Sequence, residues 1–396
     1  MSFEPGAVAG NGRIGLCEPH IAGNEWIYIK ECLDSGWVSS AGNFVGRFEQ
    51  EMANYLGGGV EAVAVVNGTS ALHISLLIAG LQPDDEVLMP ALSFIAPANT
   101  VRYCGAWPVF LDVDQETWQL NPAQLESFLS EESEKRGKEL FNRSTGRRIK
   151  AVLPVDLLGH PADMDPIIDT AHQHGLVVIE DATESLGAKY KGRPVGTFGD
   201  ISCLSFNGNK LITTGGGGMI ITDKPEWAAR ARYLTTQAKD DPLEYIHGEV
   251  GFNYRLTNLQ AAMGCAQLEQ IDKFIEAKRG IAARYEEAFR DLTGITPMPQ
   301  AEWAQSVFWL YTVLIDEELV GSSSRKLMLK LGQSGIQARP LWQPLHKSPA
   351  LANCQAFQVR VAEQLQNRAL SLPSSVGMTE NQQKMVIQLI ATFFDF

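Results

Sequence analysis

Several protein classes are excluded by what this 396-residue chain has little of. Its six cysteines, Cys17, Cys32, Cys104, Cys203, Cys265 and Cys354, are widely spaced and contain no Cys-x-x-Cys pair. They read as isolated, mostly buried thiols of a reducing compartment, so no disulfide framework is expected. The seven histidines show no ligand spacing. His172 and His174 are two apart and diverge on the helix expected over 163–174, so no metal site is expected. Positive charge is in deficit, and the formal net charge of -13 argues against nucleic acid as a partner. No run of about 18 apolar residues occurs, which excludes a transmembrane helix. The start Met1-Ser2-Phe3-Glu4-Pro5-Gly6 lacks the basic-then-apolar order of a secretory signal, so a cytoplasmic protein without a membrane partner is expected. The Gly-x-Gly-x-x-Gly fingerprint after a first strand is missing, which argues against a dinucleotide-dependent dehydrogenase. No internal repeat or low-complexity tract is present, so a solenoid is also excluded.

What is present is a regular alternation. Short apolar runs at 62–66, 86–89, 108–111, 149–155, 176–179, 201–205 and 219–222 read as seven strands, with helical patterns between most of the early ones. That order predicts an α/β fold, with a mostly parallel seven-stranded sheet between helices. With 45% hydrophobic residues the chain can bury a large core and carry a second, smaller domain. The charge-crowded stretch 131–148 reads as a solvated insertion. Residues 256–290 read as one long or kinked helix, interrupted only by Gly264 and Gly280. A boundary near 260–275 then divides a large domain, 1–265, from a smaller α+β domain, 266–396. In the latter a strand is expected over 307–315, a helix over 322–333 and a terminal helix near 355–370.

Two segments carry chemistry when read together. Val177-Val178-Ile179-Glu180-Asp181-Ala182-Thr183-Glu184 ends an apolar strand on acids. Ser205-Phe206-Asn207-Gly208-Asn209-Lys210 then runs into Thr213-Thr214-Gly215-Gly216-Gly217-Gly218. This combination is what pyridoxal phosphate requires. The cofactor accepts electrons from a carbanion while its ring nitrogen stays protonated, which needs a buried carboxylate, and Asp181 is placed for that role. Its aldehyde must be held by a lysine amine that later shuttles a proton, and Lys210 is the candidate. Its phosphate needs hydroxyls and free backbone N–H groups, which Asn67-Gly68-Thr69-Ser70 supplies by ending one strand and opening a helix expected over 71–79. Simpler readings exist: Thr69 and Ser70 could only cap the helix, and Gly215-Gly216-Gly217-Gly218 could only be a turn.

The order of these segments resembles the DegT/StrS-type nucleotide-sugar aminotransferases. The resemblance is carried by Asn67-Gly68-Thr69-Ser70-Ala71-Leu72-His73, Pro90-Ala91-Leu92-Ser93-Phe94-Ile95-Ala96, Glu180 to Gly187, Ser205 to Gly218, and Gly251-Phe252-Asn253-Tyr254-Arg255-Leu256-Thr257-Asn258. It implies the fold type I of pyridoxal phosphate enzymes and a transaminase with Lys210 holding the cofactor and Asp181 against its ring nitrogen. It further implies Gly68, Thr69, Ser70 and Ser205 at the phosphate, Phe94 stacked on the ring, and Glu184 facing the phenolic oxygen. Asn253 is implied to reach the phosphate in a partner subunit, which makes the enzyme a homodimer with shared active sites. L-glutamate is the implied donor and a nucleotide sugar the acceptor.

The chain departs from common family choices at Glu184, where glutamine is frequent, and at Asn207 and Asp156, where histidine is frequent. A carboxylate at 184 would be repelled by the phenolic oxygen unless one of them holds a proton, or it would turn toward the substrate. The Asn-Gly-Asn-Lys form resembles the branch acting on UDP-linked 4-keto-6-deoxy-N-acetylhexosamines, with GDP- or dTDP-linked keto sugars as alternatives. Asn207, Arg255, Arg339 and His346 are candidates for substrate contact, against the ordinary alternative that the last three are surface or ion-pair residues. A dehydratase of the same family resembles a pattern with histidine in place of Lys210, and a non-catalytic regulator would not need Asp181, Ser205 and Lys210 together.

Overall fold

The computed structural model describes residues 13–241 and 243–394, so residues 1–6, read above for a leader, lie outside the described residues. Its centre is a sheet in the order Glu61–Val65, Gly218–Thr222, Ile201–Ser205, Val177–Asp181, Arg148–Val152, Glu86–Pro90, Trp107–Leu111. Neighbours are parallel except around Gly218–Thr222, which runs antiparallel to both of its partners. These are the seven expected strands. Because side chains alternate across a strand, Glu61–Val65 sends Val63 and Val65 into the core shared with helix Gly68–Ile78. Ala62 and Ala64 point the other way, into the core of helices Asn43–Tyr55 and Asn258–Leu268. Burial on both faces explains why these strands read as continuous apolar runs.

Local sequence sets the helix starts. Asn67 is extended and its side chain accepts from the Ser70 N–H at 2.7 Å. Asn121 caps helix Pro122–Glu131, whose first residue is a proline that needs no donor there. Thr257 and Gln260 form a reciprocal capping box on Asn258–Leu268. Each cap is worth about 1 kcal/mol.

The structure departs from the sequence reading in several places. Residues 131–148 are not simply a solvated insertion: Ser133–Arg136 and Glu139–Asn142 form a hairpin that pairs with Arg148–Val152. Its Leu140 is buried in the core, and the surrounding charges mask that alternation. The strand expected over 149–155 stops at Val152, two residues before Pro154, which has no N–H to donate. The long helix breaks at Glu269 and Gln270 into Asn258–Leu268 and Ile271–Phe289. In place of a terminal helix over 355–370, Ala356–Phe357 extends the main sheet beside Trp107–Leu111, followed by helix Val361–Arg368 and strand Ala369–Leu372. The last helix is Glu380–Phe394. Finally, Cys32, Cys203 and Cys265 are buried but Cys17, Cys104 and Cys354 are only half-buried, and all six are free thiols.

A second, antiparallel sheet in the order Ile295–Pro297, Tyr311–Ile315, Ala369–Leu372, Arg339–Pro340 forms the C-terminal part. The strand expected from 307 begins only at Tyr311, because Phe308 takes a left-handed backbone with φ 48°. Among the described residues no helix is long and apolar enough to cross a membrane.

Helices Asn43–Tyr55 and Asn258–Leu268 approach closely because Gly264 has no side chain: a Cβ there would lie 2.7 Å from the Phe48 ring. Gly264→Ala should gain under about 1 kcal/mol in helix propensity and lose about 1–3 kcal/mol to overpacking. The expected net result is a lower urea midpoint, and an unchanged or higher midpoint would refute this packing account.

Candidate active site

The C-terminal ends of the parallel strands bring the chemistry-bearing segments to one edge of the sheet, where open α/β sheets bind ligands. Val65 leads into Asn67 and Gly68, Pro90 into Ser93 and Phe94, and Asp181 and Ser205 end their own strands. Together with Lys210 they surround a cavity of about 490 Å³.

One end of the cavity is the start of helix Gly68–Ile78. Gly68, Thr69 and Ser205 line it. A Cβ on Gly68 would come 2.9 Å from the Ser205 Cβ, so the cradle exists because residue 68 is a glycine. Gly218 is equally constrained, since a Cβ there would lie 2.5 Å from the Asn67 carbonyl carbon. The glycine run is therefore more than a turn: its last residue lets the strand Gly218–Thr222 pass directly under the helix start. Helix dipole, free N–H groups and two hydroxyls make this end suited to a phosphate.

At the other end two buried carboxyls meet a partly buried amine. Asp181 is 2% exposed and its Oδ1 accepts from the Thr183 N–H at 3.1 Å. Burial holds its carboxyl above the usual range. Glu184 accepts at Oε2 from the Leu158 N–H at 2.9 Å, and burial pushes its carboxyl up to about 7. Its Oε1 lies 3.9 Å from the Lys210 amine. Burial lowers the Lys210 pKa, with Glu184 and Asp181 opposing that shift. The neutral amine is the form that attacks a carbonyl, and the lowered pKa favours it.

Phe94, Asn207 and Arg339 also line the cavity. Phe94 is half exposed and edge-on to Trp342 at 6.2 Å. Asn207 donates to the Asn209 side chain at 3.0 Å, and Arg339 is exposed at the mouth. Four expected residues are placed elsewhere. Ser70 is buried outside the cavity, with its N–H taken by the Asn67 cap. Arg255 does not line the cavity: its guanidinium pairs with Glu49 and donates to the Ala64 carbonyl at 3.3 Å, tying the helix Asn43–Tyr55 to the first strand. His346 is likewise engaged, 2.9 Å from Glu363 and away from the cavity lining. Asn253 is exposed, bridging to Thr236, and does not line the cavity of its own chain.

Residues that the sequence reading missed complete the wall. Trp309 lies with its ring centroid 3.8 Å from the Lys210 amine, and Trp342 stacks parallel to it at 6.3 Å. Leu16, Asn209 and Leu341 also contribute. A tryptophan inside an apparent strand over 307–315 reads as core, and only the irregular turn at Phe308 turns it toward Lys210. The residues present fit pyridoxal phosphate: an anion cradle at a helix start, a buried carboxylate, a lysine amine and an aromatic face at Phe94 share one cavity.

The DegT/DnrJ/EryC1/StrS aminotransferase family model matches residues 19–391. The chain is 42% identical over 370 residues to the GDP-perosamine synthase of Caulobacter vibrioides, covering 93% of this chain and 95% of that protein. It is 37% identical over 384 residues to the GDP-perosamine synthase of Escherichia coli O157:H7, covering 96% and 98%. Among solved structures, a DegT DnrJ EryC1 StrS aminotransferase from Brucella abortus superposes with a TM-score of 0.84 at 29% identity, covering 94% of this chain and 96% of that one. Matched in sequence and fold along nearly its whole length, the chain belongs to the DegT/DnrJ/EryC1/StrS aminotransferase family, whose enzymes depend on pyridoxal phosphate.

Proposed function

We propose that the protein moves the amino group of L-glutamate to the keto carbon of a GDP-linked keto-deoxy sugar. The observation that carries the aminotransferase reading is the meeting of buried Asp181 and Glu184 with the partly buried Lys210 around one cavity headed by the start of helix Gly68–Ile78. The choice of GDP is supported by two relatives, each a GDP-perosamine synthase, that align over nearly the full chain. The UDP-linked sugar suggested by Asn207-Gly208-Asn209-Lys210 lacks such support. In the fold Asn207 and Asn209 bond to each other, and the Asn209 carbonyl accepts from the Trp309 indole at 2.6 Å. Those asparagines shape the turn that carries Lys210, so their identity says little about the base.

Bound pyridoxal phosphate supplies an electron sink for the carbon that loses or gains a proton. Gly68, Thr69 and Ser205 would hold its phosphate, Phe94 its ring face, Asp181 its ring nitrogen and Glu184 its phenolic oxygen. As a carboxylate, Asp181 would keep that nitrogen protonated. Lys210 would move the proton off the donor's amino-bearing carbon in the first half of the exchange and, in the second, supply a proton to the acceptor's former keto carbon. Arg339, at the mouth, is placed to meet an anionic group of either substrate. Asn253 acts on the partner subunit's phosphate site, which accounts for its position outside the cavity of its own chain.

Three outcomes test this reading. Given glutamate and GDP-, UDP- or dTDP-linked 4-keto-6-deoxy sugars, the enzyme should yield aminated product, read by mass, from the GDP sugar. Product from a UDP or dTDP sugar alone would overturn that choice. Lys210→Ala and Asn253→Ala should each be inactive, yet their mixture should recover roughly a quarter of wild-type turnover, because random pairing leaves one complete site in each hybrid. No recovery on subunit exchange removes the shared-site proposal. Glu184 carries a proton below about 7, where it donates to the cofactor's oxygen, and above that pH its charge repels that oxygen. The cofactor affinity of wild type relative to Glu184→Gln, whose amide donates at every pH, should therefore fall as pH rises through about 7, by up to about tenfold per pH unit. A ratio independent of pH in absorbance titrations would exclude the protonated form.

A further inference from the structure

Lys210 must let go of the cofactor during transfer and still remain within reach of the reacting carbon, and this requirement rests on the function proposed above. A long, flexible amine at the edge of a cavity of about 490 Å³ needs something to hold it. Its nitrogen lies 3.8 Å from the Trp309 ring centroid and 3.9 Å from Glu184 Oε1. The first distance is well within the range of a cation over an aromatic face. Trp309 is itself 3% exposed and fixed at three points. Its indole N–H donates to the Asn209 carbonyl at 2.6 Å, one residue before Lys210. Its own carbonyl accepts from the Lys278 amine at 2.6 Å, and its ring is nearly parallel to that of Trp342, at an interplanar angle of 12°.

Lys278 is a buried lysine with no role in the transfer chemistry. It is 1% exposed, and besides Trp309 it donates to the Ser374 carbonyl and, at 3.0 Å, to the Ser374 hydroxyl. A buried ammonium is retained only where its donors are met, and here one of the acceptors is the backbone of the residue that covers Lys210. The left-handed turn at Phe308 sits just before Trp309, and strain of this kind in a non-glycine residue costs about 1–3 kcal/mol and concentrates at functional sites.

We propose that Trp309 and Glu184 form a holding site for the free ammonium of Lys210, with Trp309 as the positioning residue and Lys278 as the anchor of Trp309. The ring face, and Glu184 in its ionised form, both favour the charged amine and give it one resting place. The ionisable groups facing Lys210 are Glu184, Asp181 and Cys17, so Trp309 is the uncharged member of the site.

The test measures Lys210 itself, independently of turnover. Cofactor-free, full-length protein is labelled with trace acetic anhydride across pH, and acetylation of Lys210 is quantified by peptide mass, since only the neutral amine reacts. Loss of the ring face in Trp309→Leu should shift the labelling midpoint down by about one pH unit. Trp309→Phe, which keeps a weaker face, should shift it down by less, and this variant decides the matter if the leucine variant does not fold. Glu184→Gln should also shift it down. If Trp309 served only to exclude water, its removal would hydrate the charged amine and raise the midpoint. An unchanged or raised midpoint in a folded Trp309 variant therefore overturns the proposal. If that occurs while Lys210→Ala abolishes turnover, the holding site falls and the aminotransferase reading stands.

Discussion

Burial of three ionisable groups in one small space is the constraint on which the rest of this structure depends. Asp181 and Glu184 are removed from water and Lys210 is largely so, and each has its titration displaced by that removal. A charge buried without partners costs several kcal/mol. The fold must therefore supply donors from segments distant in sequence, at the end of the sheet where a ligand can enter. The Thr183 and Leu158 N–H groups meet the acids, and the Trp309 ring covers the amine.

The same logic recurs behind the site. Glu180, fully buried next to Asp181, accepts from the N–H groups of Gly196, Phe198 and Gly199 and from the Ser202 hydroxyl. These bonds fasten the loop before strand Ile201–Ser205 to the strand that presents Asp181. Asp156 accepts from the Ala162 N–H and the Ser185 hydroxyl, joining the two loops that carry Leu158 and Glu184. Glu49 and Arg255 secure the first strand in the same way. Each partnered polar side chain holds one strand end in register with the next, so rigidity at the cavity is maintained by polar contacts as well as by packing.

Much of this was legible in the sequence, for local reasons. Seven of the ten strands of the main sheet, the helix start after Asn67 and the placement of Asp181 and Ser205 at strand ends all follow from apolar runs, caps and turns a few residues long. The hairpin at Ser133–Arg136 and Glu139–Asn142 was obscured because charges on its exposed face outweigh the alternation that buries Leu140. The end of the chain was misread because Ala356–Phe357, Val361–Arg368 and Ala369–Leu372 are short and take their conformations from distant partners.

The sequence by itself determined which chemistry is available and in what order: a phosphate cradle at Gly68 and Thr69, an acid at Asp181, a lysine at Lys210. Those roles depend on residue type and on strand-turn-helix geometry, and both are local. Tertiary structure alone decided which of the remaining polar and aromatic groups join them. Arg255 is taken by Glu49, 206 positions away, and His346 by Glu363. Trp309, 100 positions from the Asn209 carbonyl that fixes its indole, enters the site instead. A cation or an aromatic ring can serve a surface, an ion pair or a pocket equally well, and its use is settled by whichever distant partner the completed fold places within hydrogen-bonding or stacking distance.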